Sequence, residues 1–349
     1  MGNKFISLVN AALHKAMEID ESVLCYALGI NDPIRIFGAT TGLVERFGWG
    51  RVFDIPTSEN AMTGVGVGLA LEGFRPVFSH NRLDFILLSM DQIINSAAKW
   101  NSLFEQHVPI TIRVIVGRGW GQGPTHCQSL QGSFANIPGL KIVMPSMADD
   151  VYGLLLSSIF DNNPVIFIEH RWLHNIETTA PSFQYIPLGK AREINKGDDL
   201  TVVSMSYATI EAIHALSFLQ EYDIHCDLID LRTVKPIDWE TIFSSVRKTG
   251  RLLVLDTGFE FCSIASEIIA RVGMECFDAL VEAPKRLAIP DYPVLTSPTL
   301  ANPCYTYADD VVTAICEILR VETVDVSPLI KDRDIFPRDI PGDWFRGPF

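Results

Sequence analysis

The stretch RVFDIPTSENAMTGVGVGLALEGFRPVFSH, residues 51–80, runs from a short apolar strand through a glycine-rich segment into a second strand. Glycines stand at 64, 66 and 68 inside an otherwise apolar helical run. Each costs a helix interior about 1 kcal/mol relative to alanine. Such a loss is sensible where another backbone or a flat ligand comes close, since glycine has no Cβ to obstruct it. The run is not a phosphate cradle. A GxGxxG pattern from Gly64 or Gly66 needs glycine at 69 or 71, and both are leucine; GxxxxGK[ST] is absent from the chain. Nicotinamide and nucleoside triphosphate readings lose their best support. Glu59 falls in the first helical turn after Ser58. It either complements the helix dipole or serves as a functional acid.

The same alternation continues on both sides. ESVLCYALG, FRPVFSH, PITIRVIVG, LKIVMP and PVIFIEH read as strands, with an amphipathic first helix carrying Phe5, Leu8, Val9, Ala12 and Leu13 and further helices at residues 89–105 and 147–160. PITIRVIVG is continuously apolar, as in a parallel sheet covered on both faces. A second set begins at DLTVVSMS and runs through HCDLIDL and GRLLVLDTG, with helices between and a last helix in YADDVVTAICEILR. Strands alternating with helices define an α/β protein with two doubly wound domains. The expected boundaries are residues 1–180, a connector over 181–197, a second domain over 198–325 and an extended arm over 326–349.

With 349 residues the chain is long for one core. Its formal charge of −14 disfavours nucleic acid or an anionic membrane as partner. The seven cysteines are scattered without CxxC, as free thiols in a reducing compartment would be. The first residues lack a signal peptide's apolar core, and no run is long enough to span a membrane, so a cytoplasmic location is expected.

The loop GRGWGQGPTHCQSLQG, residues 117–132, follows a buried strand and lies at the carboxyl edge of its sheet, where α/β proteins bind ligands. His126 stands in it, either moving a proton near neutral pH or bracing the loop by hydrogen bonds. In SHNRLDF, His80 and Arg82 are either surface charge or the lining of an entrance suited to an anionic or sugar substrate.

Taken in order, DIPTSEN, GFRPVF, DFILLSMDQIINSAAKW, GQGPTHCQSLQGSFANIPGLKIVMPS, DNNPVIFIEH, IDLRTVKPID, KTGRLLVLDTG and IPDYPVLTSP resemble the beta subunit of thiamine-diphosphate-dependent 2-oxo acid dehydrogenases and the matching half of transketolases. The resemblance covers roughly residues 5–320. It implies a pyrimidine-binding domain followed by a transketolase C-terminal-like domain. Glu59 matches the glutamate that contacts the cofactor's aminopyrimidine and favours its imino form, a role that needs a buried, protonated acid. The small residues after it would allow close packing at the subunit interface housing the cofactor. Phe85 matches the aromatic that packs on the pyrimidine, an ordinary core phenylalanine being the other reading. His126 matches the substrate-side histidine. Asp161 and Asn163, in DNNPV, match a stretch that holds potassium in some relatives.

The chain has no GDG motif, so the resemblance implies that Mg²⁺ and the diphosphate are held by an alpha-type partner in an alpha2beta2 heterotetramer. The expected reaction is decarboxylation of a 2-oxo acid, pyruvate first among them. The two-carbon unit then passes to lipoamide on a lipoyl acyltransferase or to a carbonyl acceptor. Split-transketolase ketol transfer and a non-catalytic assembly subunit are the alternatives. The chain departs from the family at Gly29-Ile30-Asn31, where an acid is usual, and at Asp256-Thr257, where an acidic pair is usual.

Overall fold

The computed structural model describes residues 2–118, 122–322 and 324–331. The chain divides into two compact units. Residues 2–117 with Ser133–Leu188 form the first; Arg118–Gly132 with the chain from Gly189 onward forms the second. By its contacts the loop bearing His126 groups with the second unit. Its side chains bond there, and chain adjacency does not reveal that. Residues 119–121 of this loop lie outside the described residues.

The first unit contains α1 (Phe5–Ile19), β1 (Val23–Ala27), α2 (Leu43–Phe47), β2 (Val52–Asp54), α3 (Glu59–Leu71), β3 (Arg75–His80), α4 (Ala98–Phe104) and β4 (Thr111–Val116). After α5 (Gln131–Ala135) come β5 (Lys141–Val143), α6 (Ala148–Ile159) and β6 (Val165–His170). A 3-10 turn over Leu83–Ser89 and a π-helical turn over Gln92–Ala97 lead into α4. Strands lie in the order β5-β6-β4-β3-β1-β2, all parallel. Every residue of β4 and β6 is buried, as in interior strands of a parallel sheet covered on both faces. From β1 the chain goes to β2 on one side and then to β3 on the other. That reversal makes the carboxyl ends of β1 and β3 the topological switch point, the place where doubly wound sheets bind ligands.

The glycines of α3 differ in purpose. A methyl group on Gly66 would run into the Tyr26 hydroxyl and come within 2.7 Å of Ile110 Cδ1. Tyr26 is stacked between Phe53 and Phe78, at 5.3 and 4.6 Å between centroids, and its hydroxyl donates to the Met62 carbonyl at 3.2 Å. Gly66 therefore lets the helix lie down on its own core. Gly68 has open space around it.

The second unit contains β7 (Arg192–Asn195), β8 (Leu200–Ser204), α7 (Tyr207–Leu219), β9 (Cys226–Asp230), β10 (Thr233–Lys235), α8 (Trp239–Thr249), β11 (Leu252–Phe259), α9 (Ile264–Glu275) and β12 (Lys285–Ile289). Then come α10 (Pro298–Ala301), α11 (Ala308–Leu319) and α12 (Ser327–Lys331). Its five-stranded sheet runs β12-β11-β8-β9-β7, parallel except for β7. The end of the expected connector is thus an antiparallel edge strand. Its sequence, REIN, has one apolar residue and no alternation to betray it. α7 and α11 close one face through Ala212, Leu216, Val312 and Ile315. The arm expected from residue 326 begins instead as α12, where the Asp325 carboxylate accepts from the Ser327 amide at 3.0 Å and caps the turn. Residues 332–349 lie outside the described residues. No helix among the described residues is long and apolar enough to cross a membrane.

Candidate active site

In the first unit, Glu59 is the first residue of α3 and half-buried, with its carbonyl accepting from Thr63 Oγ1 at 2.8 Å. The start of the helix favours negative charge there through its unpaired amides. Phe85 lies on the 3-10 turn after β3 and is 38% exposed, so it is not a core phenylalanine. The neighbouring charges are not surface groups either: His80 is 4% and Arg82 6% exposed. Burial pushes the His80 ring down to about 4, which leaves it neutral, and it packs 4.1 Å from the Phe78 ring between centroids.

Ile30, at the position where relatives carry an acid, is buried at 1% exposure and its carbonyl accepts from Thr40 Oγ1 at 2.8 Å. It is a core residue and has no proton to move. The Asp54 carboxylate at the end of β2 accepts from the amides of Gly29 and Ile55 at 2.9 and 2.8 Å, and the carboxylate of Asp32 also lies against Gly29.

Below the carboxyl edge is a buried ion network that sequence reading missed. Arg113 on β4 donates from Nε to Glu169 Oε1 at 2.7 Å and from Nη1 to Ser79 Oγ at 3.0 Å. His174 Nε2 lies 3.3 Å from Glu169 Oε2. Burial alone would raise the Glu169 carboxyl, but Arg113 and His174 outweigh it and hold it below the ordinary range. Strand pairing sets Arg113 opposite Phe167, and Glu169 lies two residues further along β6, within reach of the guanidinium.

In the second unit, His126 is half-buried in a turn closed by its amide to the Gly123 carbonyl at 3.3 Å, with Nδ1 3.0 Å from Thr125 Oγ1. The loop is fastened along its length. The Arg118 guanidinium lies 4.0 Å from the Tyr305 ring centroid, 5.3 Å from that of Tyr307 and 5.6 Å from that of Tyr207. Cys127 Sγ donates to the Gly123 carbonyl, and Tyr305 donates to Cys127 Sγ. Ser129 reaches Gln131 Oε1 at 2.7 Å, and Gln131 Nε2 donates to Asp256 Oδ1 at 2.6 Å. Asp256 is buried, which raises its pKa, and it also accepts from the amides of Gly258 and Ala265. The departure at Asp256-Thr257 is therefore the anchor of the histidine loop.

Asp161 and Asn163 are joined locally, the Asn163 amide donating to Asp161 Oδ1 at 2.8 Å. The other carboxylate oxygen binds Lys141 Nζ. The carbonyls of Ile159 and Asp161 accept from Arg75 Nη1 at 3.2 and 3.0 Å. Donors expected for a potassium ion are engaged by fixed cations of the chain. Among the described residues no group of three or more histidine, cysteine or acidic side chains could hold a metal ion.

A parallel sheet with an acid at a helix start and an exposed aromatic at its switch point, followed by a second α/β unit, defines a transketolase-like protein. Residues 5–175 match the transketolase pyrimidine-binding domain family and residues 189–306 the transketolase C-terminal domain family. The chain is 37% identical to the acetoin:2,6-dichlorophenolindophenol oxidoreductase subunit beta of Bacillus subtilis (strain 168), over 89% of this chain and 95% of the relative. It is also 37% identical to the 2-oxoisovalerate dehydrogenase subunit beta of the same organism, over 90% and 98%. Identity is 35% to the pyruvate dehydrogenase E1 component subunit beta of Rickettsia bellii (strain RML369-C), over 89% and 97%. A solved structure titled split gene transketolase, inactive beta4 tetramer, shares the fold, with a TM-score of 0.76 at 18% identity, covering 92% of this chain and 99% of that one. The chain belongs to the family of 2-oxo acid dehydrogenase E1 beta subunits, a thiamine-diphosphate-dependent family.

Proposed function

We propose that the chain is the beta subunit of a two-component enzyme that binds thiamine diphosphate, decarboxylates a 2-oxo acid such as pyruvate and transfers the two-carbon unit. The observations that support this reading are Glu59, half-buried at the start of α3, and the exposed Phe85 on the turn beyond β3. An acid there suits a hydrogen bond to a pyrimidine nitrogen, and an exposed ring suits stacking on a flat heterocycle. Thiamine diphosphate, held by Glu59 and Phe85, would supply the carbanion chemistry that decarboxylation of a 2-oxo acid needs. Glu59 shares a proton with the pyrimidine nitrogen. Phe85 sets the ring's plane. His126 hydrogen-bonds the oxygen of the substrate and moves its proton. Mg²⁺ and the diphosphate are assigned to an alpha-type subunit in an alpha2beta2 assembly, because the GDG motif is absent. Potassium remains a proposed ligand of the Asp161–Asn163 segment only if Arg75 and Lys141 give way.

The acceptor is lipoamide or a carbonyl compound. Ketol transfer to a sugar gains from the buried basic residues at the carboxyl edge. The assembly-subunit reading rests on Ile30, and the presence of both Glu59 and His126 speaks against it. Glu59→Gln in the reconstituted complex is the test. Assembly is expected to persist while turnover falls by a factor of about a hundred or more, the size of a general-acid contribution. Unchanged turnover would remove Glu59 from the reaction.

A further inference from the structure

The carboxyl end of β12, the outer strand of the second unit's sheet, borders a cavity of about 430 Å³. Small-molecule sites run from roughly 300 to 1,000 Å³, and α/β sheets receive ligands beyond the carboxyl ends of their strands. Leu287, Ala288 and Pro290 supply apolar lining from β12 and the residue after it. The segment from Asn302 to Tyr307, which leads into α11, supplies most of the rest.

The chemistry of this lining differs from that of the site described above. Among the described residues that line it there is no lysine, arginine or histidine. The start of α11 is no trap for an anion either. The Tyr307 amide donates to Asp310 Oδ2 at 2.9 Å, and the Ala308 amide donates to Glu211 Oε2 at 3.0 Å. The amides that would greet a phosphate are thus already met by carboxylates of the chain. Cys304 is fixed in the lining, its Sγ donating to the Leu300 carbonyl at 3.4 Å and lying 3.5 Å from the Tyr292 hydroxyl. Asn302 is the exception to this closure. It is half-buried, and its buried Oδ1 has no hydrogen-bond partner. A buried acceptor without a donor costs free energy that a donor on a ligand recovers.

We infer that this cavity is a ligand site for an uncharged, amino-substituted nitrogen heterocycle, the adenine ring of a nucleoside being the type. An asparagine side chain carries an acceptor and a donor side by side. Its Oδ1 accepts from an amino group while Nδ2 donates to the neighbouring ring nitrogen. Leu287, Pro290 and Pro303 provide apolar surface for the body of the ring. A phosphate has no cation to meet in the lining and would be held beside the carboxylates of Glu211 and Asp310. The site is independent of the proposed reaction, whose substrate is an acid.

The test is calorimetric titration of adenosine into the purified full-length chain, with inosine and AMP at equal ionic strength as comparisons. Saturable adenosine binding is expected, with Kd on the order of 1 mM or tighter. Inosine replaces the amino group by an oxygen, which faces Asn302 Oδ1 with a second acceptor, and it should bind roughly tenfold or more weakly. Asn302→Ala should weaken adenosine to a similar degree. Ala288→Leu fills the cavity and should do the same; it carries the test if Asn302→Ala misfolds by circular dichroism. Hydrogen exchange locates the ligand, and bound adenosine should slow the amides of residues 302–307. Absent adenosine binding, binding indifferent to the amino group or to both substitutions, or protection confined to other segments overturns the site. AMP binding as tightly as adenosine overturns its neutral character.

Discussion

Gln131 Nε2 donates to Asp256 Oδ1 at 2.6 Å, and that bond fastens the loop of His126 to β11, an interior strand of the second unit's sheet. The loop is long and glycine-rich, so its histidine depends on such fastenings for a defined position. Gln131→Ala removes the donor and leaves a buried carboxyl with one partner fewer. Stability of the chain is expected to fall by about 1–3 kcal/mol. Turnover of the reconstituted complex should fall further than that loss explains, since a misplacement of about 1 Å costs on the order of a hundredfold. A kcat equal to wild type would show that His126 holds its place without Gln131.

The α3 glycines give a paired comparison. Gly66→Ala drives a methyl group toward Tyr26 and Ile110 and is expected to destabilise by about 1–3 kcal/mol. Gly68→Ala meets nothing and should stabilise the isolated chain by up to about 1 kcal/mol. Urea denaturation of the two variants checks the ordering, and equal shifts would refute the packing role of Gly66.

Arg113 and Glu169 are buried together at 1% and 0% side-chain exposure. Arg113→Met strands the carboxylate and should cost about 3–5 kcal/mol in denaturant unfolding. Adding Glu169→Leu removes the stranded charge, so the double variant should recover part of the loss. A double variant less stable than the single one would show that the carboxylate is needed by more than Arg113.

His80 makes stability depend on pH. Its folded pKa is about 4 against 6.5 for an ordinary histidine. Between those values the unfolded chain binds a proton that the folded chain refuses, so stability rises with pH across this window. The stabilisation is complete above pH 6.5 and is lost as pH falls toward 4, by about 3 kcal/mol. His80→Leu should flatten the slope, leaving the part due to His174, whose pKa burial also lowers. Thermal unfolding at stepped pH measures this, and parallel curves for variant and wild type would assign the slope elsewhere.

The sequence by itself determined the α/β class, the two-part organisation and most strands, because buried parallel strands are predominantly apolar and the helices between them are amphipathic. It also placed Glu59 at a helix start and Phe85 beyond a strand. It missed β7, whose four residues carry no alternation, and the helical start of the tail. Only the tertiary structure decided what lies across from what. Strand pairing brought Arg113 within reach of Glu169, loop closure brought Gln131 to Asp256, and residues far apart in the chain, Phe37, Arg82 and Arg171, came to one spot. Local pattern encodes which face of an element is buried. Which polar groups meet inside is encoded only by the register of elements, and that no single segment contains.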